Sequence, residues 1–207
     1  GSGGGMQNFS TSTVRINNST FVGNTSNGTT GGGGGQFNGA VLITNSTFAN
    51  NNAPSGSGGG LQSNGSAGTI LTNVTISGNN SANNGGGLHR ATTNTNFWIR
   101  NSIIAGNNGG AVSPDVTNSA GGLNSAGHNI IGNTGTSTGW DATDFLNTDP
   151  MLGPLADNGG FGMTFLPQAG STAIDNGDNC VLDQPCSGNN PPIAVTADQR
   201  GVSRPQN

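Results

Sequence analysis

Gly58-Gly59-Gly60-Leu61, followed by Thr72-Asn73-Val74-Thr75-Ile76-Ser77-Gly78-Asn79, is one copy of a unit that recurs along the chain. In register the copies read Val14-Arg15-Ile16-Asn17-Asn18-Ser19-Thr20-Phe21, Val41-Leu42-Ile43-Thr44-Asn45-Ser46-Thr47-Phe48, Thr69-Ile70-Leu71-Thr72-Asn73-Val74-Thr75-Ile76 and Phe97-Trp98-Ile99-Arg100-Asn101-Ser102-Ile103-Ile104. The central asparagines are Asn18, Asn45, Asn73 and Asn101, a spacing of 27 or 28 residues. A fixed period of this size is the signature of a solenoid.

Each unit holds three short apolar segments. A Gly-rich stretch ends at Met6, Phe37, Leu61 or Leu88. An alternating pair follows at Val14/Ile16, Val41/Ile43, Thr69/Leu71 or Phe97/Ile99. A third segment carries Phe21, Phe48, Ile76 or Ile104. Period-2 alternation over so few residues predicts half-buried strands. Three strands per turn, each pairing with its equivalent one turn on, give an all-β, single-stranded parallel β-helix of about five coils, with turns about 4.8 Å apart. The chirality of parallel crossovers makes it right-handed. The period decays after Gly109, so residues 1–134 are read as coils and residues 135–207 as an irregular segment packing on or capping them.

Two asparagine columns stand out. The central one (Asn18, Asn45, Asn73, Asn101) is read as an inward ladder of stacked amides, as is a second one six residues on (Asn24, Asn51, Asn79, Asn107). Asn also tolerates left-handed backbone, so either column could simply mark a turn. Between the inward residues of the second strand lie Arg15, Leu42, Ile70 and Trp98. Alternation points them outward. Leu42, Ile70 and Trp98 then form an apolar stripe, either covered by the C-terminal segment or used in lateral contact.

Composition narrows the function classes. The chain has 207 residues, 39 of them Gly, with only 7% charged and 29% hydrophobic, and it lacks Lys, Glu and Tyr. Stacking lets so lean an apolar stock suffice. Residues 1–114 carry three Arg and no Asp; residues 115–207 carry nine Asp and two Arg. Nothing is basic enough for nucleic acid, and no apolar run is long enough to span a membrane. Cys180 and Cys186 enclose a short loop containing Pro185 and are read as a local disulfide of an exported protein.

The coils are similar to the parallel β-helix repeats of bacterial surface proteins, including the polymorphic outer-membrane protein type. Residues 149–160 (Asp149-Pro150-Met151-Leu152-Gly153-Pro154-Leu155-Ala156-Asp157-Asn158-Gly159-Gly160) resemble the choice-of-anchor Q domain proteins. So do Gly170-Ser171-Thr172-Ala173-Ile174-Asp175-Asn176-Gly177 and Asp198-Gln199-Arg200-Gly201-Val202-Ser203-Arg204-Pro205. The resemblance implies a secreted or surface-anchored β-helix and no established activity.

Sugar-cleaving β-helices place paired carboxylates, or a basic residue with an acid cluster, on neighbouring coils. The regular coils hold no acid at all, so no catalytic residue is assigned and the chain is read as a non-enzyme. Asp141, Asp144, Asp149 and Asp157, with His128 nearby in sequence, could still form a site, but the Asp residues are read as turn formers before Pro or Gly. His89-Arg90 is read as a solvated turn. Asp175, Asp178 and Asp183 do not match a calcium loop, so no metal or cofactor is assigned. The expected role is an extracellular or cell-surface structural or adhesive protein. Uncapped ends would dock head-to-tail on another copy, making filaments, or on adjoining coils of a longer surface protein. Carbohydrate binding or processing is the alternative. Ice binding through Thr20, Thr47 and Thr75 is the third reading.

Overall fold

The computed structural model describes residues 3–9, 12–65, 67–93, 96–110, 114–119, 121–183, 186 and 194–204. Gly1, Ser2, Pro185 and Pro205 lie outside the described residues. The first turn contains β1 (Met6–Asn8), β2 (Val14–Asn17) and β3 (Thr20–Val22). The second contains β4 (Gly35–Phe37), β5 (Val41–Thr44), β6 (Thr47–Ala49) and β7 (Asn52–Ala53). The third contains β8 (Leu61–Ser63), β9 (Thr69–Thr72), β10 (Thr75–Ser77) and β11 (Asn80–Ser81). The fourth contains β12 (Leu88–Arg90), β13 (Phe97–Arg100), β14 (Ile103–Ala105) and β15 (Asn108–Gly109). A shortened fifth holds β16 (Val116–Asn118), β17 (Asn124–Ser125) and β18 (Ile130–Ile131), and β19 (Phe145–Leu146) follows.

Every strand of the solenoid pairs in parallel with its equivalent one turn away. The first sheet runs β1-β4-β8-β12-β16, the second β2-β5-β9-β13-β17 and the third β3-β6-β10-β14-β18-β19. The chain is therefore a parallel β-solenoid. A fourth sheet, β7-β11-β15, makes four walls in the middle turns where the pattern predicted three. Its strands are two residues long, too short for alternation to register. The third sheet also continues past residue 134, through β19 on β18.

The core is a pile of like on like. Val41, Ile43, Leu71, Phe97 and Ile99 line it from the second sheet, and Phe48, Ile76, Ile104 and Ile131 from the third. Phe21 stacks on Phe48 with ring centroids 4.7 Å apart. One register differs from the expectation. Gly35, not Phe37, pairs with both Met6 and Leu61. A side-chain carbon on Gly35 would lie 2.8 Å from the Phe37 ring. The ring of Phe37 thus fills the slot that a larger residue at 35 would occupy, and the apolar column is preserved by substitution across two positions.

Two corners need left-handed backbone. Asn18, Asn45, Asn73, Asn101 and His128 turn from the second sheet to the third with φ of 46° to 59°. Gly23, Asn50, Gly78 and Gly106 turn from the third towards the fourth with φ of 53° to 71°. Asn and Gly are the residues that accept this conformation at low cost. Beyond the solenoid, β20 (Leu152–Ala156) and β21 (Thr164–Pro167) form an antiparallel hairpin. A short 3₁₀ turn, Asn179–Val181, opens the disulfide-bonded loop.

Candidate functional site

The solenoid's polar architecture starts with the second asparagine column. Asn24 donates from its backbone N–H and from Nδ2 to Asn51 Oδ1, at 3.0 and 2.9 Å. Asn51 repeats this on Asn79, and Asn79 on Asn107, at 2.8 to 2.9 Å. Each Nδ2 also donates back to a carbonyl of the preceding turn: Asn51 to Phe21, Asn79 to Phe48 and Asn107 to Ile76, all at 2.9 Å. The buried amides of Asn51, Asn79 and Asn107 are thereby satisfied, as a water-free interior demands.

The ladder has a direction. Donors point towards the C-terminal turns and acceptors towards the N-terminal ones. It ends at Asp115 Oδ1, which accepts from both nitrogens of Asn107 at 2.8 Å. An ionised carboxylate accepts but cannot donate, so it is the residue that can close such a chain. Burial pushes the Asp115 carboxyl above its usual range, opposed by the bonds from Asn107 and Asn133. A second inward column ends the same way. Ser102 N donates to Asn129 Oδ1 at 3.0 Å, and both nitrogens of Asn129 donate to Asp144 Oδ1 at 2.9 Å. At the opposite end Asn24 Oδ1 accepts no hydrogen bond among the described residues.

The central asparagines do a different job, which corrects their reading as an inward ladder. They occupy the left-handed corner, and their side chains point away from the core. Among the described residues one amide link joins this column, Asn73 Nδ2 to Asn45 Oδ1 at 3.2 Å. Asn101 and Asn45 hold the C-terminal segment. Asn101 Oδ1 accepts from Asp178 N at 2.9 Å and its Nδ2 donates to Asp178 O at 3.0 Å. Asn45 Nδ2 donates to Ala197 O at 2.8 Å. The fifth member, His128, meets Asn176 O through Nδ1 at 2.9 Å. The corner that turns the chain is therefore also the rail on which Asn176, Asp178 and Ala197 dock.

The dock is pinned by an ion pair between Asp178 and Arg100, whose side chain is 2% exposed. Asp178 is partly open to water, so the loss on breaking the pair is moderated. Asp178→Ala is expected to cost about 2 kcal/mol in chemical denaturation and to speed proteolytic cleavage within residues 170–204. Cys180 and Cys186 form a disulfide with Cα atoms 5.4 Å apart. With Val181 and Val195 they make a small second core.

The outward stripe is half-buried at Leu42, Ile70 and Trp98, above an exposed Arg15. Leu42 faces Ala194–Ala197 across a groove of about 290 Å³. The threonine column is not a free flat face. Thr47 donates to Gln199 Oε1 at 2.7 Å, and Thr20 donates to Met163 O at 2.9 Å while accepting from Gln199 Nε2 at 2.9 Å.

The acids act as local acceptors. Asp141 Oδ1 accepts from Thr143 N, Asp149 Oδ1 from Met151 N and Asp157 Oδ1 from Gly159 N, at 2.8 to 3.0 Å. Asp198 binds Arg200 at 2.7 Å. Among the described residues no group of three His, Cys or Asp side chains could hold a metal ion, and no helix is long and apolar enough to cross a membrane. His89 and Arg90 correct the sequence reading: they are not a solvated turn but the buried strand β12. Arg90 reaches the carbonyls of Gly121 and Gly122. His89 joins an outward column that the sequence reading passed over, Gln7, Gln36, Gln62 and His89. A Gln close behind each Gly run, two residues on at Gln7 and Gln62 and directly after it at Gln36, was its signal. Gln7 donates to Gln36 at 3.1 Å, and Gln62 Nε2 lies 3.4 Å from His89 Nδ1. Burial lowers the His89 pKa from 6.5 to about 4.

The C-terminal segment touches the third sheet at both ends and bridges its middle. Gln199 and Met163 hold the first two turns; Asp178 and Asn176 hold the last two. Over the third turn a cleft of about 800 Å³ remains. Its floor is Asn73 and Thr75, one wall is Phe165 and Leu166 of β21, and Ile174, Asp175, Gln199, Arg200 and Arg204 complete it. No protein-family model, curated protein or solved structure matches this chain.

Proposed function

We propose that this protein is a structural module of the cell exterior whose N-terminal face accepts a further solenoid coil. The polarity of the Asn24–Asn51–Asn79–Asn107–Asp115 ladder carries the reading. One end presents an amide oxygen unused among the described residues, beside β1, β2 and β3, the terminal strands of their sheets. Around that edge Phe9 and Val22 are exposed, and Met6, Val14 and Phe21 are only partly buried. Unpaired strand edges with apolar neighbours are templates for pairing. The fitting partner is a parallel coil with an Asn at the ladder position, donating to Asn24 Oδ1. The disulfide and the resemblance to choice-of-anchor Q proteins support the exterior placement.

The same polarity disfavours a head-to-tail filament of identical copies. Its joint would set Asn24 Oδ1, an acceptor, against the end closed by Asp115, also an acceptor. Facing acceptors without a donor between them leave Asn24 Oδ1 unsatisfied.

A grafted coil tests this. Residues 61–87, one full turn ending in three glycines, are fused directly before Met6 in place of residues 1–5. The melting temperature is expected to rise by about 5 °C or more, because each added repeat contributes its interface to its neighbour. The rise should largely vanish when the Asn79 equivalent in the graft is Ala. An unchanged melting temperature for the intact graft would overturn the proposal.

A further inference from the structure

We infer that the cleft over the third turn binds a short acidic oligosaccharide, with Arg204 receiving a sugar carboxylate. The cleft exists because the C-terminal segment is held at Thr20, Thr47 and Asn45 on one side and at Asn101 and His128 on the other. Among the described residues nothing closes it over Asn73 and Thr75. Its volume of about 800 Å³ falls within the range of small-ligand sites, about 300–1,000 Å³.

The lining is rich in unused planar or hydroxyl groups. Asn73 Oδ1 is buried without a hydrogen-bond partner. Among the described residues, neither the Thr75 hydroxyl nor the Asp175 carboxylate takes part in a hydrogen bond. Such groups match the closely spaced hydroxyls of a sugar. Phe165, Leu166 and Ile174 supply an apolar wall for the face of a sugar ring, Leu166 and Ile174 being more than 40% exposed. The floor strand β10 is paired on both edges. The floor therefore offers no free backbone edge for an extended peptide to add to.

The cleft's charges balance, Asp175 and Asp198 against Arg200 and Arg204, so the site for an acid is local, at Arg204. Arg200 is already matched by Asp198 at 2.7 Å. Among the described residues the Arg204 guanidinium hydrogen-bonds through Nε alone, donating to Ala197 O at 3.3 Å, and it also feels the charge of Asp198. Its two terminal nitrogens are left as a fork, the geometry that takes a carboxylate through two parallel bonds.

Isothermal titration of the full chain with tetragalacturonate tests the proposal, against cellotetraose and an Asp-rich hexapeptide. Tetragalacturonate is expected to bind at least tenfold tighter than either control. Arg204→Gln should weaken it at least tenfold with unchanged circular dichroism. Thr75→Val, on the floor and away from the dock, should weaken it about threefold to tenfold and serves if Arg204→Gln fails to fold. The proposal is overturned by absence of tetragalacturonate binding at millimolar concentration, by equal binding of cellotetraose or of the peptide, or by affinity unchanged in both variants.

Discussion

Asn79→Ala is expected to destabilise the protein by about 4 kcal/mol, several times the effect of Asn80→Ala one residue away. Asn79 is 1% exposed and sits mid-ladder. Truncating it removes the acceptor used by Asn51 N and Nδ2 and the donor used by Phe48 O and Asn107 Oδ1. Each buried group left unsatisfied costs about 1–3 kcal/mol, and the partial overlap of those losses gives the total. Asn80 belongs to a parallel ladder, donating to Asn52 Oδ1 and accepting from Asn108 Nδ2, both at 2.8 Å. That ladder lies at the surface, where water replaces a lost partner, so Asn80→Ala should cost under about 1 kcal/mol. Urea denaturation of the two variants side by side decides the matter. Equal losses would mean that stacking of the apolar columns, not amide satisfaction, fixes the register.

The comparison also explains where acids can stand. Within residues 1–114 a buried carboxylate would break the relay of donors, because it has none to pass on. At Asp115 and Asp144 the relay ends, and the same property becomes useful. The charge asymmetry along the chain is thus partly the chemistry of ending two ladders.

Much of the solenoid was legible because its information is periodic. Repeated Val/Ile/Phe pairs named the inward faces, and the spacing of Asn18, Asn45, Asn73 and Asn101 located a corner. What that corner does was not legible. Asn is chosen there for its positive φ, and its outward amide is then free to bind a segment 77 to 152 residues away. Contacts at such separations leave no repeat in the sequence. Phe37 misled for a local reason: counting apolar residues aligned it with Leu61, while its ring fills the space above Gly35. The third-turn cleft is invisible for the same reason as the dock, since Asp175, Arg204 and Thr75 meet only through the folded path.

His89→Gln should remove most of the acid sensitivity that His89 gives the fold. His89 is 7% exposed. Its Nε2 lies 2.8 Å from Ser119 Oγ and its Nδ1 3.4 Å from Gln62 Nε2. A neutral ring suits both, accepting at Nδ1 and donating at Nε2; a second proton would point an N–H at the Gln62 amide nitrogen. A folded pKa near 4 against 6.5 unfolded means that the unfolded chain binds the proton first. Stability is therefore full above pH 6.5 and falls as the pH drops towards 4, by about 3 kcal/mol for this group. Asp115 acts in the opposite sense, since a carboxyl raised by burial favours the protonated folded state as the pH falls. The difference between wild type and variant cancels that contribution. Gln at 89 also extends the Gln7–Gln36–Gln62 column with a side chain that does not titrate. Denaturation at pH 7 and pH 4 should show the wild type losing about 3 kcal/mol more than His89→Gln. Parallel losses in the two proteins would place the acid sensitivity elsewhere and show that the imidazole is reached by water.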